Sequence, residues 1–127
     1  MSLRYLWLVL IAVVCVGCSS NPAPLAMATT AEKARLAMEN VLTAWKAGKS
    51  AADMKAQSPQ AYFIDADFSR GAKLVDFRIE NEGIPRGTGY RFDVTITTEQ
   101  PGKPASPKKL AYRVVTEPAT SISREDD

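Results

Sequence analysis

The longest hydrophobic pattern in the chain predicts a helix over residues 31–47. Apolar residues recur there at spacings of three and four and form a single stripe, made of Ala34, Met38, Val41, Leu42 and Trp45. Thr29 is the predicted N-cap, Glu32 three residues later completes a capping box, and Gly48 follows the end. Because one face of this helix is apolar throughout, it requires a sheet to cover it.

A second, shorter helix is predicted over residues 51–57. Ser50 and Asp53 repeat the capping pattern, and Ser58-Pro59 ends the segment because the residue before a proline disfavours helical backbone. Residues 62–64, Tyr-Phe-Ile, then predict a short strand or an extended crossing.

Three later segments alternate apolar and polar residues at period two, which predicts strands over residues 73–81, 89–98 and 109–117. Their inward positions are Val75, Phe77 and Ile79, then Tyr90, Phe92, Val94 and Ile96, then Leu110, Tyr112 and Val114. Residues 82–87 and 100–104 have turn-forming compositions suited to antiparallel connections. One face of the resulting sheet is predicted to be buried.

Charges on the other face predict the strand register, since opposite charges facing each other across strands are stabilising. The favoured pairs are Phe77 with Val94 and Val94 with Tyr112. In that register Asp93 lies between Arg78 and Arg113. The surface row formed by Arg78, Arg91, Asp93 and Arg113 is therefore a candidate docking surface, although such rows are commonly just solvated charge.

These elements predict an α+β fold, with one long N-terminal helix and a short helix packed on a curled antiparallel sheet of three or four strands. The domain spans residues 30–124, followed by an acidic tail at 125–127. The element order resembles the cystatin-like and NTF2-like (SnoaL-like) folds, and the segment from Leu42-Thr43-Ala44-Trp45 onward resembles small exported bacterial proteins. The NTF2-like resemblance implies a ligand pocket between helix and sheet, for which Trp45 and Tyr62 are the candidates.

Residues 1–17 have the three-part layout of a secretory signal. Arg4 gives a basic start, residues 6–16 are apolar, and small Gly17 precedes Cys18. The apolar run is too short for a membrane-spanning helix, which needs about 20 residues. Cleavage of this leader is therefore predicted.

The segment Val16-Gly17-Cys18 resembles the lipobox of bacterial lipoproteins. The resemblance implies cleavage between Gly17 and Cys18 and attachment of diacylglycerol to the Cys18 thiol. A lipobox prefers Leu at the position that Cys15 occupies, and Gly17 fits the cleavage position better than Val14 does. The alternatives are an ordinary signal peptide cut nearby and a retained leader with an unmodified cysteine.

By the same resemblance, Ser19 rather than Asp after the cysteine implies the outer membrane instead of the inner membrane. Residues 18–29 are small, polar and Pro-containing, which is typical of a flexible tether. The predicted partner of the N-terminus is thus a membrane, reached through lipid.

Composition excludes several classes of function. The chain has 127 residues, enough for one domain, and its 16 basic and 14 acidic side chains give a net charge of +2, which does not favour a nucleic-acid partner. It has no histidine, and its two cysteines lie at the leader, so histidine bases, His/Cys zinc sites and disulfides within the domain are excluded. We assign no cofactor and no catalytic residue.

Residues 65–69, Asp-Ala-Asp-Phe-Ser, are the only segment that resembles a metal site, because oxygen ligands at positions 1, 3 and 5 suit Ca²⁺. Asp76 falls at position 12, but Arg70 stands where the loop needs glycine. We therefore predict a turn in which the aspartates bond local backbone, with no metal bound.

Together these features predict an exported, membrane-anchored lipoprotein whose domain is a non-enzymatic accessory or interaction module, its protein partner or ligand left open. Two alternatives stay open. One is an NTF2-like cup that binds a small ligand or catalyses a reaction. The other is assembly through an exposed sheet edge.

Overall fold

The computed structural model describes residues 29–57 and 60–125, in which helices and strands combine into an α+β fold, as predicted. The helices are α1 (Ala31–Lys46), α2 (Ala51–Ala56) and α3 (Ala66–Ser69). The strands are β1 (Ala61–Ile64), β2 (Lys73–Ile79), β3 (Ile84–Arg86), β4 (Gly89–Gln100), β5 (Lys103–Val115) and β6 (Thr120–Glu125).

Helix α1 confirms the predicted apolar stripe, whose five members are all buried. Its N-cap is Thr30, and the prediction of Thr29 is wrong by one residue. The Thr30 hydroxyl accepts a hydrogen bond from the Lys33 amide at 3.2 Å and so caps the helix, which begins at Ala31 as predicted. The hydroxyl of Thr29 accepts instead from the Thr116 amide at 3.0 Å and ties the start of α1 to the end of β5.

Helix α2 has the predicted capping box. The Asp53 carboxylate accepts from the Ser50 amide at 2.9 Å, and the Ser50 hydroxyl accepts from the Asp53 amide at 3.2 Å. The hydrogen bond from the Ser50 amide lowers the pKa of Asp53. This short helix contacts β1 and buries Met54 beneath it.

The sheet differs from the prediction of three or four antiparallel strands. It is a curled, mixed sheet of six strands in the order β1-β6-β5-β4-β2, with β3 paired to the other end of β4. β1 runs parallel to β6 and the remaining pairs are antiparallel. Residues 120–125, which were not predicted as a strand of their own, form β6 by pairing with β1 on one side and β5 on the other. Glu125, assigned from sequence to the acidic tail, is the last residue of β6.

Strand β2 contains a β-bulge that changes which residues face the core. The alternation predicted Val75 inside, but the register shifts between Leu74 and Asp76. Leu74 is therefore buried, with 1% of its surface exposed, and Val75 is 39% exposed. A bulge adds one residue to one strand and reverses the alternation on its far side, so a strict period of two misassigns the residues before it.

The predicted strand registers are wrong by two residues. Phe77 pairs with Ile96, and Val94 pairs with Leu110. The tight turn at residues 101–102 fixes the pairing of β4 with β5, while β3 occupies the partner positions at 89–91 that the prediction gave to the end of β2. Asp93 consequently lies opposite Ala111 and not beside Arg113.

The core lies between α1 and the concave face of the sheet. Trp45 is buried there, and its indole Nε1 donates to the carbonyl of Ala72 at 2.8 Å. Its ring contacts those of Phe63 and Phe68, with centroids 5.6 Å away in both cases. The interface is thus filled by aromatic side chains with the polar indole nitrogen satisfied.

Candidate functional site

A cluster of charged side chains is buried at one end of the sheet, where β1 leads into α3. Asp65 is the N-cap of α3, and its Oδ1 accepts from the Phe68 amide at 3.0 Å. Asp67 lies in the first turn of the same helix. Both aspartates are buried, which is rare for carboxylates unless they are paired.

Asp65 is bonded to a tyrosine from the middle of the sheet. The Tyr112 hydroxyl donates to Asp65 Oδ2 at 2.6 Å, and both groups are buried. Burial, and then the hydrogen bond to Asp65, raise the pKa of Tyr112 far above its ordinary value. The phenol is therefore a fixed hydrogen-bond donor at neutral pH and not a base.

Asp67 is surrounded by basic side chains. The Lys108 ammonium donates to its Oδ2, Arg124 Nη1 lies 3.3 Å from the same oxygen, and Arg70 Nη1 lies 3.8 Å from Oδ1. Burial would raise the pKa of this carboxyl, but the Lys108 hydrogen bond and the charges of Lys108 and Arg124 outweigh it and lower the pKa. Asp67 is therefore ionised at neutral pH.

These residues border an open cavity of about 560 Å³ whose lining includes Asp67, Arg70, Lys108 and Arg124. A pair of carboxylates can act as general acid and base only if one of them is protonated at the working pH. Here Asp67 is held ionised by three cations and Asp65 accepts a hydrogen bond from a phenol. The arrangement is that of a structural ion-pair network.

The calcium-like segment at residues 65–69 is thus the acidic half of this cluster. Asp76 does not join it, since it lies in β2 and its carboxylate is 3.8 Å from Lys46. Within residues 29–57 and 60–125 no group of three or more acidic side chains converges as metal ligands would. The turn predicted for this segment is a one-turn helix capped by Asp65.

The structure does not bring the candidate pocket residues Trp45 and Tyr62 together. Trp45 faces the core, whereas Tyr62 lies on the opposite face of β1, where its hydroxyl accepts from Gln60 at 2.9 Å. An open cavity of about 430 Å³ is lined in part by Trp45, Phe63 and Phe68, at the end of α1.

The row of charges on the outer face is present but arranged differently from the prediction. Arg78 donates to Glu80 at 2.8 Å, and Arg91 Nε lies 3.6 Å from Asp93 in the same strand. Arg91 faces Arg113 across β4 and β5. Hydrogen bonds from Arg78 and then from Thr95 lower the pKa of Glu80.

Glu125 lies close to two arginines of this face. Its carboxylate lies 3.8 Å from Arg91 and 3.6 Å from Arg86. The side-chain amide of Asn81 donates a hydrogen bond to the Asp93 carboxylate at 3.3 Å. This outer face therefore carries positive and negative side chains that form local ion pairs.

Sequence reasoning missed the three residues that complete the buried cluster, namely Tyr112, Lys108 and Arg124. Lys108 and Tyr112 share a strand face through the period-two spacing with Leu110, which is a usable signal once β5 is known to begin before residue 109. Arg124 gave no such signal, because β6 itself was not predicted.

Gly17 and Cys18 lie outside the described residues, and so does the remainder of the leader. Among residues 29–57 and 60–125, no helix combines the length and apolar character needed to cross a membrane. Comparison of the chain with protein-family models, with curated proteins and with solved structures gave no match.

Proposed function

We propose that the protein is an exported lipoprotein, anchored through Cys18, whose domain is a non-enzymatic accessory or interaction module. The observation that carries the non-enzymatic part is the filled interface between α1 and the sheet. Trp45 is buried there, in the place where an NTF2-like cup would hold its ligand. The engagement of both buried aspartates by cations and a phenol supports the same conclusion.

The anchor rests on the lipobox-like segment that ends at Cys18. Two or three acyl chains on one cysteine bind membranes stably, because each buried methylene contributes about 0.8 kcal/mol. Thr29 is already tied to the fold through Thr116, so residues 19–28 would separate the domain from the lipid on Cys18. A domain tethered in this way is suited to meeting partners near the membrane surface.

Metabolic labelling with radioactive palmitate tests the anchor. Wild-type chain is expected to carry label and to sediment with membranes, while Cys18→Ala loses both properties. Cys15→Ala is the matched control, since it removes the neighbouring thiol and is expected to keep the label. Label retained by Cys18→Ala would refute the assignment.

Outer-membrane location is part of the proposal and rests on Ser19. Separation of inner and outer membranes by density is expected to find the chain in the outer-membrane fraction. Ser19→Asp is expected to move it to the inner membrane, whereas Ser20→Asp, one residue further, leaves it in place. Equal distribution of wild type and Ser19→Asp would contradict this location.

A second candidate function, binding of a small anionic ligand, is favoured by the open cavity of about 560 Å³ beside α3. Arg70 is the most exposed cation at this cavity, and Lys108 and Arg124 stand behind it. Thermal unfolding of the full chain with inorganic phosphate or citrate tests this candidate. A rise in Tm that Arg70→Ala abolishes would support it, and an unchanged Tm at millimolar ligand would refute it.

A further inference from the structure

Strand β2 presents an unpaired edge that is unlike the other sheet edges of the described chain. One side of β2 pairs with β4, and no strand of residues 29–57 or 60–125 pairs with the other. The edge strand β1 has no charged residue, and the segment of β5 beyond its pairing with β6 carries Pro104 and Pro107. Proline protects an edge because it lacks the N–H donor that pairing requires. β2 contains no proline over its seven residues.

The charges along this edge are self-complementary. Asp76 and Arg78 are two residues apart, and their side chains are 73% and 75% exposed. When two antiparallel copies of β2 pair about a two-fold axis at Phe77, Asp76 of each copy faces Arg78 of the other. Shifting that register by one residue instead sets Asp76 or Arg78 of one copy against Phe77 of the other and separates the opposite charges. Directly opposed charges of opposite sign stabilise antiparallel pairs, and like charges destabilise them.

The contacts that these side chains make within one chain leave them accessible. Asp76 lies 3.8 Å from Lys46, which is half exposed, and Arg78 donates a hydrogen bond to Glu80, the residue that follows β2. Exposed ion pairs of this kind contribute little to stability, so they do not compete strongly with a new partner.

We infer that two copies of the chain associate through β2, antiparallel about Phe77, with Asp76 of each copy paired to Arg78 of the other. The inference deepens the proposed interaction function and rests on its membrane anchor. Confinement of copies to one membrane raises their effective concentration toward about the millimolar range, so a short edge contact is sufficient. The joined sheets would be continuous, as in other cases of strand addition.

Charge exchange tests the register. The full chain, purified in detergent with micelles in excess over protein, is examined by density-matched sedimentation equilibrium, and a bifunctional amine reagent reports dimers in intact membranes. Wild type is expected to form dimers by both measurements. Asp76→Arg and Arg78→Asp are each expected to weaken the dimer at least about tenfold, because each creates two like-charge contacts. The double variant, with the two charges exchanged, is expected to return to within about threefold of wild type.

Glu82→Arg is the matched control, since it makes the same change of charge at a side chain that is 98% exposed and lies outside β2. Its dimer is expected to match that of wild type. A wild-type chain that is monomeric at about 500 μM and is not cross-linked in membranes would overturn the inference. So would dimers that the single variants leave intact, or a double variant that stays dissociated.

Amide hydrogen exchange gives a measurement that needs no variant. Amides of residues 75–79 that face the free edge are expected to exchange several-fold more slowly at high chain concentration than at low concentration. Concentration-independent exchange at this edge would overturn the inference. A membrane-bound monomer would refute this dimer and leave the proposed function intact. A wild-type chain without palmitate label would refute the anchor, and sedimentation would still decide whether the dimer forms.

Discussion

At the scale of single residues, the charged cluster at α3 makes stability depend on a few polar side chains. Two buried carboxylates are tolerated only because Tyr112, Lys108 and Arg124 supply donors from β5 and β6. Removing one partner of such a network leaves a buried group unsatisfied, which costs more than the net contribution of the bond. This asymmetry makes single substitutions informative.

Tyr112→Phe is expected to lower the free energy of unfolding by about 1–3 kcal/mol, because Asp65 loses its phenolic donor while the ring volume is kept. Urea unfolding followed by circular dichroism measures the change. Tyr62→Phe removes a hydroxyl of the same kind from an exposed ring and is expected to change stability by no more than about 0.5 kcal/mol. Equal effects of the two substitutions would mean that the buried bond has no special role.

Stability is also expected to depend on pH through Asp67. Its pKa in the folded chain is lowered from the ordinary 3.8. A carboxyl with a lowered folded pKa binds fewer protons folded than unfolded, so its contribution is present above the unfolded pKa and is lost as pH falls through the folded pKa. Unfolding free energies measured from pH 7 down to about pH 2 should therefore fall progressively below about pH 5.

The variant Asp67→Asn isolates this contribution. It is expected to be less stable than wild type at pH 7, because Lys108 and Arg124 lose their anionic partner. The difference between the two proteins is expected to shrink as pH falls below 4 and Asp67 becomes protonated in wild type. A difference that stays constant over this range would contradict the linkage.

At the scale of elements, β2 illustrates how one bulge redistributes a strand between core and solvent. Leu74 packs in the core and Val75 faces outward, although the alternation along residues 73–81 favours the reverse. The same bulge leaves the regular part of the edge, from Asp76 onward, for the association inferred above. Burial and edge pairing are thus set by a single inserted residue.

The pair Leu74→Ala and Val75→Ala tests this assignment. Leu74→Ala is expected to cost about 2–5 kcal/mol, because it leaves a cavity in a packed core. Val75→Ala removes a partly exposed side chain and is expected to cost less than about 1 kcal/mol. Guanidinium unfolding of both variants gives the two values. A larger loss of stability for Val75→Ala would mean that Val75, and not Leu74, packs in the core.

At the scale of the whole molecule, β6 connects the two ends of the fold. It joins β1 in parallel and β5 in antiparallel pairing, and so links β1 to the rest of the sheet. Ile122 contributes to the core from this strand, and Arg124 reaches the charged cluster. Without β6, strand β1 and the α2 helix above it would have no sheet to join.

Truncation after Pro118 is therefore expected to abolish cooperative unfolding. Thermal denaturation monitored by near-ultraviolet circular dichroism should show no transition, because the rings around Trp45 lose their fixed packing. Truncation after Glu125 keeps all of β6 and is expected to retain a cooperative transition. A folded chain without residues 119–127 would show that β6 is dispensable.

Several features of the fold follow from the sequence alone because they depend on residues a few positions apart. The apolar stripe of α1 and the capping box of α2 are both confirmed, since helical periodicity and caps act within one or two turns. The inward positions of β4 are confirmed for the same reason. The lipobox-like segment at Cys18 is likewise local, and its role remains a prediction.

Tertiary structure alone decided the registers, the sixth strand and the charged cluster. Register follows from the turn at 101–102 and from the insertion of β3, and not from the best pairing of surface charges. Pairs of exposed charges contribute too little free energy to override the backbone pairing that the turn fixes. Asp65 and Tyr112 are 47 residues apart in the chain, so the local sequence around either residue does not predict the contact. Such sites are determined by which strands pair over long distances in the chain, and the periodicity of the sequence does not predict that pairing.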